Sequence, residues 1–195
     1  FGLRDYGMDG QIGLEPTPNE FVSRLVDVFR EVRRVLRDDG TLWLNLGDTY
    51  YSGNGQPCGK DAKSPARNFS RRFYRWQDRP GQGLPKKTLV GIPWKVAFAL
   101  QEDGWTLRSE IIWHRPTSFS TAGVKDRPFT RHETIFMLSK SRRYFFAPDM
   151  RSIGTVWTVP HARSAGHSAA FPPDIIEPCI LAGCPIGGTV LDPFG

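Results

Sequence analysis

The chain has 195 residues and a mass of 22.0 kDa, with 39% hydrophobic and 24% charged residues. This balance allows a substantial core and excludes a wholly disordered, collagen-like or coiled-coil chain, and no apolar run approaches the ~20 residues of a membrane span. Three cysteines are too few for a disulfide scaffold, which favours a reducing, cytoplasmic setting, and the formal net charge of +6 favours a polyanionic partner.

The first predicted element is a helix that begins near Thr17. Thr17 can cap this helix, Pro18 suits its first position, and Glu20 completes a capping box. Apolar residues then recur at helical spacing: Phe21, Leu25, Val28, Phe29, Val32, Val35 and Leu36. The helix is expected to end at Asp39-Gly40, and an apolar strand over 41–46 follows it, a succession typical of α/β proteins with a parallel sheet.

Residues 51–88 lack helical or strand periodicity, and we call them the basic loop. Between residues 54 and 87 the chain carries nine basic and two acidic residues, a net charge of +7, so the rest of the chain has a net charge of −1. Phe69, Phe73, Tyr74 and Trp76 are interleaved with these charges. Loops of this length are uncommon unless they are functional or disordered. The basic residues are Lys60, Lys63, Arg67, Arg71, Arg72, Arg75, Arg79, Lys86 and Lys87.

A second helix is predicted from Ile92 to about Glu102, because Pro93 lies near its start and Gly104 follows its end. The next segment, 105–113, is predicted to be a strand that stops at His114-Arg115-Pro116. A loop over 117–131 follows.

The last third of the chain alternates short strand and helix patterns. Residues 133–138 and 142–146 bracket a Ser-Lys-Ser turn and predict a β-hairpin. A short strand over 155–159 comes next, then a helix from 172 to 182 that Pro178 interrupts. A final strand, 189–191, ends in Asp192-Pro193-Phe194-Gly195.

The two ends of the chain lack the usual signs of a domain boundary. There is no initiator methionine, and the sequence stops at Gly195, directly after an apolar stretch and a turn. We therefore expect residues 1–195 to be a fragment of a single larger domain, and a processed but complete domain is the alternative.

A strand that runs into an acidic residue and a glycine-bearing turn is how open α/β sheets build ligand sites. The turn here, D-P-F-G at 192–195, resembles the start of the D-P-F-x-G-S-G-T cofactor motif of the amino-group DNA methyltransferases, which methylate adenine N6 or cytosine N4. The order of the segments is similar to the permuted members of that family, in which the catalytic half comes first and the cofactor half last.

Further segments carry the same resemblance. Residues 167–172, HSAAFP, are similar to the H-P-x-x-[KF]-P element of the family, with Ser168 in place of the usual proline. Residues 1–7, FGLRDYG, resemble the sequence that follows the catalytic [DSN]-P-P-Y tetrapeptide in phage-type members, so that tetrapeptide is expected immediately before Phe1. The family's intervening strand and loop segments are similar to LWLNLGD at 42–48, IIWHRP at 111–116 and DRPFTRHE at 126–133.

The resemblance implies an incomplete, Rossmann-like methyltransferase fold of the α/β class that uses S-adenosylmethionine, with a mostly parallel sheet and an antiparallel hairpin. It implies transfer of a methyl group to an exocyclic amine of a base that is flipped out of duplex DNA. Cytosine N4 is slightly preferred over adenine N6, because GLRDYG-type members often carry Ser-Pro-Pro-Tyr. Residues 1–195 alone are expected to be inactive, since no catalytic residue lies among them. Duplex DNA is the expected partner, together with a cognate restriction endonuclease.

The resemblance also assigns roles to single residues. The cofactor-binding set is Asp192, Pro193, Phe194, Gly195, His167, Phe171 and Pro172. Ordinary core packing is an equal alternative for both phenylalanines, and an ordinary surface or core histidine is the alternative for His167. The base pocket would include Asp48, Trp113 and Pro116. Helix or turn capping is an equal alternative for Asp48, and core packing is the favoured one for Trp113.

Lysine and arginine release counterions from phosphate, so the basic loop is the first candidate for DNA contact. Lys125, Arg127 and Arg131 are the second, and the segments 117–131 and 148–166 are candidates for target recognition. A non-catalytic module that binds single-stranded nucleic acid is the alternative function, and an RNA or protein methyltransferase is a further one. A zinc site is not expected, because Cys179 and Cys184 have no second pair of ligands.

Overall fold

The computed structural model describes residues 1–2, 8–55, 75–116, 124–160 and 172–194. The chain divides into two compact units. The first unit comprises Phe1–Glu31 and Gly47–Asp103, and the second comprises Val32–Leu46 and Gly104–Gly195. No helix in the described part of the chain combines the length and the apolar character that a membrane span needs.

Helix α1 (Pro18–Val35) begins where the sequence predicts. The backbone N–H of Glu20 donates to Thr17 Oγ1 at 3.2 Å, which satisfies one of the unpaired donors of the first turn. The helix ends at Val35 rather than at Asp39-Gly40, and the Lys140 ammonium donates to the carbonyl of Leu36 at 2.6 Å. This lysine satisfies one of the free carbonyls at the C-terminal end of the helix, which permits the chain to turn early.

In the first unit, α1 buries Phe21, Leu25 and Phe29 on one face. Helix α2 (Ile92–Glu102) has the predicted limits, and Val96, Ala97 and Leu100 are fully buried. The Arg30 guanidinium donates to Asp103 Oδ1 from Nη2 at 2.6 Å and from Nε at 3.1 Å, which ties α1 to the residue that follows α2.

The second unit contains a four-stranded sheet in the order β1-β3-β2-β4. The strands are β1 (Thr41–Leu46), β2 (Thr106–His114), β3 (His132–Ser139) and β4 (Val156–Thr158). Strand β3 pairs antiparallel with both β1 and β2, and β2 pairs parallel with β4. Because β3 has a neighbour on each side, it is buried from Thr134 to Ser139.

One face of this sheet carries the core of the second unit. Its buried members are Ile111, Trp113, Ile135, Met137, Trp157 and Ile175. Helix α3 (Pro173–Gly183) supplies Ile175, and its C-terminal end meets β1, where Thr41 Oγ1 donates to the carbonyl of Gly183 at 3.4 Å.

The predicted β-hairpin of 133–138 with 142–146 does not form, because 142–146 is not a strand. The N–H of Phe145 donates instead to the carbonyl of Asp39 at 2.9 Å, and Ser141 Oγ donates to the carbonyl of Asp38 at 2.8 Å. Strand β3 has no edge left for a returning strand, since β1 and β2 already occupy both sides. The antiparallel part of the sheet is therefore built from strands that are distant in sequence.

The predicted last strand, 189–191, is also irregular and pairs with none of the described strands. Val190 and Leu191 are 56% and 58% exposed. A strand persists only where a neighbouring edge supplies hydrogen bonds. Parallel pairing is thus confined, in the described sheet, to β2 and β4, so this sheet is mixed and mostly antiparallel rather than mostly parallel as expected.

Candidate functional site

Asp48 comes shortly after β1 in the sequence, and its carboxylate accepts hydrogen bonds from three backbone N–H groups. Oδ1 accepts from Thr49 at 2.8 Å and from Ile92 at 3.0 Å, and both oxygens lie 3.0 Å from the N of Gly91. Gly91 is the N-cap of α2 and has a left-handed φ of 78°. The carboxylate therefore caps α2, in line with the capping alternative, and its role in a base pocket stays a prediction.

Trp113 lies near the carboxyl end of β2 and is 2% exposed. Its indole N–H donates to the carbonyl of Val159 at 2.8 Å, and the ring belongs to the core of the second unit. Pro116 is half-buried, and its carbonyl accepts from Arg131 Nη1 at 3.4 Å. The structure thus places Trp113 in the core, and contact with a base remains a prediction for both residues.

An ion pair that sequence reasoning did not single out lies beside these residues. Arg115 Nη1 donates to Glu133 Oε1 at 2.6 Å, and the side chains are 10% and 23% exposed. The guanidinium also lies 5.8 Å from the ring centroid of Trp113. Trp113 is paired with Glu133 in the antiparallel register of β2 and β3, and Arg115 follows Trp113 by two residues. A correct alignment of the two strands would therefore have predicted that Arg115 lies near Glu133.

The C-terminal turn is exposed. Asp192 Oδ1 accepts from the N–H of Phe194 at 2.9 Å, which closes the turn locally. Phe194 is 57% exposed, and cofactor contact and core packing both stay open as its role. Pro172 is buried at the N-terminal end of α3. The remaining members of the predicted cofactor set, Gly195, His167 and Phe171, lie outside the described residues.

The basic loop is described at its two ends, where its backbone segments are joined. The N–H groups of Ser52 and Gly53 donate to the carbonyl of Gln77 at 2.8 and 3.0 Å, and the N–H of Gly55 donates to the carbonyl of Asp78 at 2.9 Å. Five of the predicted DNA-contact residues, Lys60, Lys63, Arg67, Arg71 and Arg72, lie outside the described residues.

A buried carboxylate reinforces this junction. Asp78 is 1% exposed and accepts from Ser52 Oγ at 2.7 Å and from Arg75 Nε and Nη2 at 2.6 and 3.2 Å. A buried charge is tolerated when it is paired and hydrogen-bonded in this way. We call Ser52, Arg75, Gln77 and Asp78 the loop clasp.

The clasp separates the predicted DNA-contact residues into two kinds. Arg75 is directed at Asp78 and its side chain is 20% exposed, whereas Arg79, Lys86 and Lys87 are exposed. In the second unit, Lys125 and Arg131 are exposed, and Arg127 donates to Thr130 Oγ1 at 3.2 Å. The candidate recognition segments are described over 124–131 and 148–160, the latter beginning with a 3₁₀ turn at Pro148–Met150.

The N6/N4 methyltransferase family model, described as DNA methylase, matches residues 3–195. The chain belongs to this DNA methylase family. Two Type II methyltransferases, M.Cfr9I of Citrobacter freundii and M.XycI of Xanthomonas campestris pv. cyanopsidis, are each 49% identical to this chain over 205 residues. Each match covers the whole chain and 66% of the relative. M.SmaI of Serratia marcescens is 45% identical over 207 residues and is matched over 69% of its length.

Solved structures agree with the methylase fold. The PvuII DNA methyltransferase, described as cytosine-N4-specific, aligns with a TM-score of 0.64 at 14% identity, over 95% of this chain and 61% of its own. A DNA modification methylase of Thermus thermophilus, solved with S-adenosyl-L-methionine, aligns with a TM-score of 0.51 at 20% identity, over 84% and 58%. The predicted family and the predicted incomplete Rossmann-like fold are confirmed, and the chain spans about two thirds of the length of these three curated relatives.

Proposed function

We propose that this chain is part of a site-specific DNA methyltransferase that transfers a methyl group from S-adenosylmethionine to an exocyclic amine of a flipped base. The observation that carries the proposal is the family match over residues 3–195. The relatives are named Type II methyltransferases, which supports a place in restriction and modification and a cognate restriction endonuclease as partner.

The cofactor supplies a sulfonium methyl group, and the turn at 192–194 fits such a ligand because its carboxylate and its aromatic ring are both exposed. In this proposal Asp192, Pro193 and Phe194 contact the methionine side of the cofactor. The rest of the predicted set, Gly195, His167, Phe171 and Pro172, is proposed to lie near the cofactor and to complete the binding site.

The chemical difficulty of the reaction is the poor nucleophilicity of an exocyclic amine, whose lone pair is delocalised into the ring. The base must first leave the helix, since the amine is otherwise paired and stacked. Hydrogen-bond acceptors held against the amine would raise its electron density, and a fixed alignment would favour in-line transfer. The new N–C bond would form as the C–S bond of the sulfonium breaks, which leaves a neutral thioether, and the amine would lose one proton to an acceptor or to water. The acceptors are expected in the tetrapeptide immediately before Phe1, and Asp48, Trp113 and Pro116 are proposed to shape the base pocket.

Cytosine N4 is the proposed target atom. This preference rests on the GLRDYG segment, because family members of this type often carry Ser-Pro-Pro-Tyr before it. The recognised DNA would be held by phosphate contacts from the basic loop, whose net charge of +7 exceeds that of the whole chain.

The test is methylation of duplex DNA by the intact methyltransferase that contains this chain, with labelled S-adenosylmethionine and with nucleoside analysis of the product. N4-methylcytosine is expected, and residues 1–195 alone should transfer no methyl group. N6-methyladenine would overturn the base preference only. DNA binding without transfer of a methyl group to any DNA would overturn the proposed enzymatic activity and favour a non-catalytic module that binds nucleic acid.

A further inference from the structure

We infer that Gln77 is a positioning residue, which fixes the backbone at Gly2 and thereby the catalytic segment expected before Phe1. The inference rests on the proposed function, because the position of Phe1-Gly2 matters to methyl transfer only if the tetrapeptide precedes it. Gln77 lies at the base of the basic loop, 75 residues away from Gly2 in the sequence.

Several contacts hold the Phe1-Gly2 backbone in the first unit. Gln77 Nε2 donates to the carbonyl of Gly2 at 3.4 Å, and the N–H of Gly2 donates to the carbonyl of Gly13 at 2.7 Å. The Phe1 ring centroid lies 5.2 Å from that of Phe21 and 6.0 Å from that of Trp76. Both polar groups of the Gly2 peptide backbone and the ring of its neighbour are thus engaged.

Gly2 and Gln77 also fit each other sterically. Gly2 has a left-handed φ of 61°, and a Cβ added there would lie 2.5 Å from Gln77 Oε1. Any larger residue at position 2 would therefore be strained in its backbone and would collide with the glutamine amide. The side chain of Gln77 thus restricts position 2 to glycine, and the absence of a side chain at Gly2 leaves the space that the Gln77 amide occupies.

The chemistry of Gln77 argues against a purely space-filling role. The residue is 3% exposed, and its Oε1 has no hydrogen-bond partner among the described residues. A buried unsatisfied oxygen is costly, and a methionine of similar size would fill the same space without that cost. The donor Nε2, which reaches the Gly2 carbonyl, is what a glutamine adds at this position.

Gln77 belongs to the loop clasp as well. Its own carbonyl accepts from the N–H groups of Ser52 and Gly53, so one residue joins the base of the basic loop to the Phe1-Gly2 backbone. A DNA-contact loop and the segment next to the expected catalytic residues therefore share a rigid anchor.

The first test measures the contact without any enzymatic assay, by urea unfolding of the intact methyltransferase that contains this chain. Gly2→Ala should lower the unfolding midpoint, and the shift it causes should be at least halved in a Gln77→Ala background, because the amide is then gone. Equal shifts in the two backgrounds would overturn the contact. The result of this unfolding test does not depend on the proposed function.

The second test uses the intact methyltransferase. Gln77→Met should lower kcat about tenfold with little change in KM for DNA or for S-adenosylmethionine. Gln101→Met, at an exposed position of α2 outside the basic loop, is the matched control. Gln77→Glu should regain activity as the pH falls, because only a protonated carboxyl can donate to the Gly2 carbonyl. Unchanged kcat in Gln77→Met, or a rise in KM alone, would overturn the positioning role, whereas an unmodified enzyme that transfers no methyl group would overturn the proposed function instead.

Discussion

Asp48 provides three backbone donors with an acceptor, two of them at the start of α2. Asp48→Ala should lower the free energy of unfolding by about 1–2 kcal/mol, the usual range for loss of an N-cap. Asp48→Asn keeps an acceptor and should cost less. Urea unfolding measures both, and Asp39→Ala, which removes an exposed partner of Arg37, is the control. An effect of Asp48→Ala no larger than that of Asp39→Ala would contradict the capping role.

Cys179 is a second residue whose environment sets its chemistry. Burial raises the pKa of the Cys179 thiol from its ordinary value of 9.0 to about 12, and the thiol lies 3.2 Å from the carbonyl of Ile175. The folded chain keeps this proton when the unfolded chain has lost it, so stability should fall as the pH rises from about 9 towards 12.

At pH 8, iodoacetamide should alkylate Cys179 at least tenfold more slowly in the folded chain than in urea, because the thiolate is the reactive form. Peptide mass spectrometry after timed quenching measures the two rates. Equal rates would show that the fold neither covers the Cys179 thiol nor raises its pKa.

Local residue roles were open to prediction from the sequence, and distant ones were not. The Thr17 cap follows from residue types next to a helix start. Asp48 caps α2 across a sequence separation of 43 and 44 residues, so the sequence offered capping as an alternative but did not indicate which helix is capped. The Arg115–Glu133 pair and the Gln77–Gly2 contact depend on backbone register and on chain segments brought together by folding. Neither is encoded in the spacing of neighbours.

Helices and strands show the same difference between features set by neighbouring residues and features set by distant segments. The limits of β1 and α2 follow from apolar runs and helix-ending residues, and the structure has them where they were predicted. The prediction of a strand at 142–146 is wrong, because a strand needs a free sheet edge to pair with. In the structure β1 occupies the edge of β3 that this strand would have used. Segments such as 189–191 have the composition of a strand but no partner among the described strands.

The junction of α3 with β1 gives a prediction for elements. A Cβ added at Gly183 would meet Thr41 Oγ1 and, at 2.6 Å, Trp43 Nε1. Gly183→Ala should therefore lower the free energy of unfolding by about 1–3 kcal/mol, the typical cost of overpacking. Gly47→Ala is the control, since an added Cβ there has no neighbour within 4 Å. Equal unfolding midpoints for the two variants would show that α3 can shift away from β1.

For the whole molecule, the excess positive charge lies in one loop, and the clasp separates Arg75, which holds the base of the loop, from the charges that are proposed to contact DNA. Arg71→Ala with Arg72→Ala should flatten the dependence of DNA affinity on salt by about 0.9 per lost phosphate contact. Arg75→Ala should leave that slope nearly unchanged and lower the unfolding midpoint, because it leaves Asp78 buried without its cation.

Titration of a fluorescent DNA duplex at several salt concentrations measures these slopes. Arg34→Ala with Arg37→Ala, on and just after α1, is the charge-matched control and should not change the slope. A change in slope for Arg75→Ala equal to that for the Arg71/Arg72 pair would place Arg75 on the DNA instead of in the clasp.

The position of β3 in the sheet limits how this fold can be enlarged. With β1 and β2 on its two sides, the described sheet can gain strands only at the outer edge of β1 or of β4. Insertions or fusions that add a strand are thus tolerated at two borders of the sheet, and one directed at its centre would have to displace a resident strand.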